Sequence, residues 1–309
     1  MVSFWFFIWN IKGFSVSLQR KQIVERLTSE RIMAILEKNG VITGSVEDVV
    51  YKNYNGKVVV CRKQTTYRDA KAEGQVVYRV KMRNIQNIYA SLKESLRGNF
   101  QDKTGRQTDY SRFQGVNMQK PAVYLNKSEV AMKAQVVAPY IVSFGTLPPV
   151  AYSLKDNMLV TDISLGNLTI TPDTTVSELT LAIVKNNEGW ELGDCLEFVA
   201  VRQMEGKTPT AKCIFAHLVL DKNNTAKLSE AVVVRDANQI ELGSSAGGFL
   251  QMNASDNGGF AIIRKRMASK GLLASSQELA IKNPLFDQYH SNQRMQKALD
   301  SYGVKRVKD

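Results

Sequence analysis

From Leu154 onward the chain is a succession of short apolar, β-branched runs, each closed by a cluster of turn-forming residues, and this pattern constrains the fold more than any other feature. The runs are Leu159–Ile163, Leu168–Ile170, Leu179–Val184, Leu196–Gln203, Cys213–Leu220, Ala231–Arg235, Gln239–Leu242, Phe249–Met252, Phe260–Arg266 and Leu272–Ile281. Between them stand Asn186-Asn187-Glu188-Gly189, Glu205-Gly206-Lys207, Asp221-Lys222-Asn223-Asn224 and Asp256-Asn257-Gly258-Gly259. Short strands spaced by such turns predict an antiparallel β-domain, a sandwich or barrel with Greek-key or jelly-roll connections. Asn283-Pro284 then opens a tail helix that Leu285, Tyr289, Leu299 and Tyr302 would dock on the sheets.

The first half reads differently. Val46, Val49, Val50 and Tyr51 precede Asn53-Tyr54-Asn55-Gly56, and Lys57–Arg62 follows. Asn55-Gly56 between two such runs is a hairpin signal, because both residues tolerate φ > 0. Gln75 to Phe100 has the helical period. Val77, Ile85, Ile88, Leu92 and Leu96 fall on one side, and Gly98-Asn99 is a stop signal. Val136–Val142 is apolar and β-branched. Phe144 to Pro149 (FGTLPP) follows as an inter-domain junction, since proline fixes φ and removes a donor. The fold class expected is thus mainly β with helices (α+β). A basic hairpin-and-helix region, 33–147, precedes a sandwich or jelly-roll-like domain, 148–309.

Charge separates the two parts. Residues 51–133 hold 17 Lys/Arg against 6 Asp/Glu, a net of +11, out of +12 for the whole chain of 309 residues. A concentration of this kind points to an anionic partner. Arg79, Arg83, Lys93 and Arg97 lie within a helical stripe about 80° wide, opposite the apolar side. Arg62, Lys63, Arg68 and Lys71 extend it. These eight residues are the candidate anion or nucleic-acid contacts, and Tyr54, Tyr67, Tyr78 and Tyr89 are candidate stacking groups for a single strand. The plain alternative is a solvated helix face. A second run, Arg264-Lys265-Arg266, reads as an exposed strand edge on which charge blocks aggregation, with only Arg264 and Arg266 sharing a face.

Catalytic signals are missing. His217 sits mid-strand and His290 on the tail helix, and these are the two histidines of the chain. Cys61, Cys195 and Cys213 are too widely spaced for a disulfide framework or a zinc site and read as small hydrophobes in a reducing compartment. No metal-protease, redox, nucleophile-elbow or phosphate-loop motif is present. Gly243-Ser244-Ser245-Ala246-Gly247-Gly248 lacks the lysine and helix start of a phosphate cradle and reads as a β-turn loop. The expectation is a non-enzyme without cofactor, metal or small-molecule substrate. A carboxylate hydrolase would need Asp194 paired with Glu197 or Glu191 in a cleft.

Phe4 to Trp9 (FWFFIW) is intensely apolar but far shorter than the ~20 residues of a membrane span, and no cleavable secretory pattern follows it. Residues 1–32 are expected to be an upstream extension, with Met33 as the natural start. A membrane-interface anchor through residues 4–9 ranks second.

Four runs, YKNYNGKVVVCRK (51–63), AVYLNKSEVAMKAQVVAPYIVSFGTLPPV (122–150), GGFAIIRKRM (258–267) and LLASSQELAIKNPLFDQYHS (272–291), together resemble uncharacterised proteins common in Bacteroidota and their mobile elements. Several of those share a "GxVGNVV…GK…VR" start and a "GTLPSI"-like junction. The resemblance runs from about Met33 to the C-terminus. Glu47-Asp48 stands here where that pattern has Gly-Asn, and Pro149 where it has Ser. Its motifs are structural, so the resemblance implies a phage or prophage association and transfers no catalytic residue. The function expected is a phage-derived structural protein of the virion or cytoplasm, forming homo-oligomers and facing nucleic acid or an acidic protein partner. The alternative is a cell-surface adhesion module that binds glycan or protein.

Overall fold

The computed structural model describes residues 33–36, 42–54, 57–64, 66, 69, 71–101, 103–232, 240–269 and 271–304. The expectations for residues 1–32, including the apolar run 4–9, lie outside them. The chain divides into two compact units, one ending at Ala70 and the other beginning at Lys71.

In the first unit, β1 (Met33–Leu36), β2 (Ile42–Val46), β3 (Val49–Tyr54) and β4 (Lys57–Arg62) form an antiparallel sheet in that order. Tyr54 pairs with Lys57, the register that a two-residue Asn-Gly hairpin demands. None of its described side chains is buried.

The second unit is α+β, and its strand pairings are antiparallel. β8 (Cys195–Met204) lies between β9 (Thr210–Val219) and β12 (Gly258–Ala268). The other side of β12 pairs with β13 (Gly271–Ala274) near one end and with β15 (Ala280–Lys282) near the other. A smaller sheet runs β10 (Leu242–Ser244), β11 (Phe249–Asn253), β7 (Met158–Ser164), β6 (Tyr152–Lys155). β5 (Ile141–Ser143) pairs with β14 (Gln277–Glu278). Alternation along β8 and β12 feeds two cores. Leu196, Phe198, Phe260 and Ile262 pack with the smaller sheet. Val199, Val201, Ala261 and Ile263 pack with residues of the helical segment 85–142.

Helices α1 (Glu73–Leu92), α2 (Asp109–Asn117) and α3 (Lys127–Ala131) belong to this unit, as do α4 (Val176–Asn186), α5 (Leu228–Ala231), α6 (Pro284–His290) and α7 (Asn292–Ser301). The tail helix predicted after Asn283-Pro284 is α6, with the Asn283 side chain accepting from Leu285 N and Pro284 in the first turn. Tyr289 of α6 is buried in the core that β8 and β12 share, whereas Leu299, on α7, buries against Val76 and Val80 of α1 and not on the sheets.

Several expectations are corrected. Leu179–Val184 is helical, not a strand. Thr175 and Glu178 form a capping box, and Val176, Leu179 and Ile183 fall on the buried side at helical spacing. Leu168–Ile170 is irregular, following a turn at Gly166-Asn167, and Leu272–Ile281 breaks into β13, β14 and β15. Of Val136–Val142 only the end enters β5. Ala231 closes the short α5, the buried Val232 caps it, and 233–235 lie outside the described residues. α1 ends at Leu92 and gives way to turns that reach Gly98 at φ +77°. Phe144–Pro149 does not separate compact units. Phe144 bridges Phe100 and Leu147 bridges Ser275 inside the second unit. Gly145 is packed so closely there that a Cβ would stand 2.2 Å from Ala274 O. The physical reason is shared burial: residues 85–142 and the β8–β12 strands form one core.

Candidate functional site

α1 owes its orientation to polar groups as well as apolar ones. Ile85, Ile88 and Leu92 are buried on one side. Beside them Asn84, fully buried, donates from Nδ2 to Val136 O (2.9 Å) and accepts from Val136 N (3.0 Å). Asn87 donates to Ala134 O (2.9 Å), and Ser91 donates to Gln135 Oε1 (2.9 Å). These bonds fasten the helix to the irregular segment 134–136 and satisfy Ala134 O and both backbone groups of Val136, while Gln135 N donates to Pro209 O and Gln135 O accepts from Gln203 Nε2. Val76 and Val80 bury against Ala298 and Leu299 of α7.

The fastening turns the cationic stripe outward. Arg83, Lys93 and Arg97 are exposed, Arg79 is half-buried, and Lys71 is exposed just ahead of the helix. Arg83 Nη1 donates to Gln86 Oε1 at 3.4 Å, one turn along. From residue 79 to residue 93 the axis advances about 21 Å at ~1.5 Å per residue, the length of roughly six nucleotides at ~3.4 Å each. Arg62 is exposed and Lys63 half-buried in the other compact unit, and Arg68 lies outside the described residues.

The candidate stacking groups divide as well. Tyr54 and Tyr78 are 71% and 60% exposed. Tyr89 is not available, because its ring packs on Tyr110 (4.8 Å) and Phe113 (5.6 Å). Tyr67 lies outside the described residues.

Arg264-Lys265-Arg266 is not the exposed edge expected. Arg264 and Lys265 are 2% and 6% exposed, in the interior of the β13-β12-β8-β9 order. On the face of Leu196, Asp194 accepts from Arg264 Nη2 (2.7 Å) and Arg266 Nη2 (2.8 Å), while the Trp190 ring lies 4.1 Å from the Arg264 guanidinium. Glu191 pairs with Arg266 at 2.6 Å. On the opposite face Lys265 is ion-paired to Glu197, which also accepts from Asn99 Nδ2 at 3.5 Å and lies 3.6 Å from His217 Nδ1. Burial pushes the Asp194 carboxyl up. The Arg266 and Arg264 guanidinia and the Glu191 N–H outweigh that and hold it below the usual carboxylate range.

Asp194 and Glu197, the residues named for a hydrolytic pair, therefore point to opposite sides of the sheet, each against its own cation. The sequence signal that was missed is the alternation itself, with carboxylates at 194 and 197 on the faces that oppose 264 and 265. His217 is half-exposed, and His290 Nδ1 lies 2.8 Å from Ala122 O. Burial raises the Cys213 thiol to about 12, which removes it as a thiolate nucleophile near neutrality. The Gly243–Gly248 run joins β10 to β11 as a turn, with Gly248 N donating to Ser245 O at 2.9 Å. Among the described residues no group of three or more His, Cys, Asp or Glu side chains is placed to hold a metal ion, and no helix is long and apolar enough to cross a membrane.

Comparison with known protein families, with curated proteins and with solved structures finds no match to this chain.

Proposed function

We propose that this chain is a non-enzymatic binding and structural protein of phage or mobile-element origin, and that the outward side of α1 carries nucleic acid. The observation that supports this most is the exposure of three cations in succession, Arg83 on α1 and Lys93 and Arg97 in the turns that follow it, along a segment whose Ile85, Ile88 and Leu92 are buried. Each neutralised phosphate releases condensed counterions, so a row of cations gives affinity without sequence readout. The reading includes a homo-oligomeric virion or assembly component whose two sheets share the Leu196–Phe198 core as a jelly-roll-related sandwich.

Salt-dependent binding tests it. Full-length chain titrated with single-stranded and duplex DNA is expected to bind at low salt, with log affinity falling linearly against log salt concentration. Absence of binding at low salt contradicts the reading. Equal binding of a polyglutamate of similar length would replace nucleic acid with an acidic protein partner.

A further inference from the structure

The β3–β4 hairpin of the smaller unit exposes groups that its own fold does not use. Val58, Val59 and Val60 are 43%, 45% and 58% exposed, beside Tyr54 at 71%. A small sheet ordinarily gains stability by burying one face, so open apolar surface on a hairpin is surface available to a ligand. The register sets Tyr54 opposite Lys57 and Lys52 opposite Val59. Because side chains alternate along each strand, Lys52, Tyr54, Lys57 and Val59 share one face, and all four are exposed. The ring thus has one ammonium two residues before it on its own strand and another directly across, at a Cβ separation of about 5 Å. Strands β3 and β4 carry no acid, and Glu47 and Asp48 stand at the β2–β3 turn, about 20 Å away along β3.

A matching partner presents a flat apolar surface and negative charge within a few ångströms of each other. A nucleotide does so, with its base plane against the ring and its phosphates against the ammonium groups. In a duplex the bases stack on one another, so the match is to a single strand. An acidic peptide meets the lysines and leaves the ring unused. A lipid surface requires the apolar groups on one side, whereas Val58 and Val60 face away from Tyr54 and Val59.

We propose that the β3–β4 hairpin is a stacking site for single-stranded nucleic acid, with Tyr54 under a base and Lys52 and Lys57 at the flanking phosphates. This rests on the nucleic-acid reading of α1 and adds strand selectivity to it.

The test uses the full chain with labelled oligothymidylate and a mixed-sequence duplex of equal length. Tyr54→Ala is expected to weaken oligothymidylate binding about tenfold and to leave the duplex unchanged, while Tyr54→Phe, which keeps the ring, stays within about twofold. Replacing Lys52 and Lys57 with Gln is expected to flatten the oligothymidylate salt slope by about 1.4, near 0.7 for each charge lost. Unchanged oligothymidylate binding by Tyr54→Ala overturns the proposal. So does an equal loss with Phe and with Ala, or a loss seen only on phosphatidylserine vesicles. If neither nucleic acid binds the wild-type chain, the α1 reading falls too. If both bind and only α1 substitutions matter, the α1 reading stands and the hairpin site falls.

Discussion

The outward side of α1 and the middle of β12 carry the same kinds of residue, and the fold treats them in opposite ways. Arg83 on α1, and Lys93 and Arg97 in the turns just past its end, reach solvent beside a helix that is fastened to the core. Arg264 and Lys265 are interior, each against a carboxylate of the neighbouring strand region. Density of charge along the chain does not separate the two. What separates them is whether a carboxylate arrives from elsewhere: Asp194 and Glu197 lie about 70 positions upstream. A buried ion pair is costly to desolvate and is severely destabilising once one partner is lost, whereas a surface cation costs the fold almost nothing and is left for a ligand.

The largest consequence belongs to the buried side. Asp194→Ala leaves two guanidinia without their shared acceptor and is expected to destabilise the fold by about 3–5 kcal/mol in chemical denaturation. Replacing Asp194, Arg264 and Arg266 together with apolar residues of similar volume is expected to cost much less than the single change. A small loss for Asp194→Ala would put β12 back among exposed charge runs.

Acid sharpens the same contrast. Since the Asp194 carboxyl is held below its ordinary value in the fold, its stabilising contribution is fully present above the ordinary carboxylate value near pH 4 and fades as pH falls through the folded value. The stability gap between wild type and Asp194→Asn should therefore narrow on acidification. A gap that widens would contradict the assignment.

Much of this was readable beforehand, and the failures have physical causes. The Asn55-Gly56 hairpin and the Pro284 helix start rest on local backbone preferences, which a sequence carries in full. Leu179–Val184 was misread because a short apolar, β-branched run fits a buried helix as well as a strand. Thr175 and Glu178, three residues apart, were the signal that decides it. Thr175→Ala is accordingly expected to cost about 1 kcal/mol, measured as a shift in denaturation midpoint. The α1 stripe came from helical period alone, while the bonds from Asn84 and Asn87 that fix its direction depend on a segment some 50 residues away. The burial of Arg264 and Lys265 depended on strand register, which no local pattern holds.

The smallest stability effect belongs to the outward side. Arg83→Gln, Lys93→Gln and Arg97→Gln combined should change folding stability by no more than about 0.5 kcal/mol per site, because none of the three side chains is buried. The same triple variant provides the most direct measurement. Its affinity for single-stranded DNA, followed across a salt series beside wild type, is expected to be lower at every salt concentration, with a log–log slope shallower by about 2, near 0.7 for each cation removed. Parallel lines of equal affinity would mean that the outward cations of α1 are only a solvated helix face.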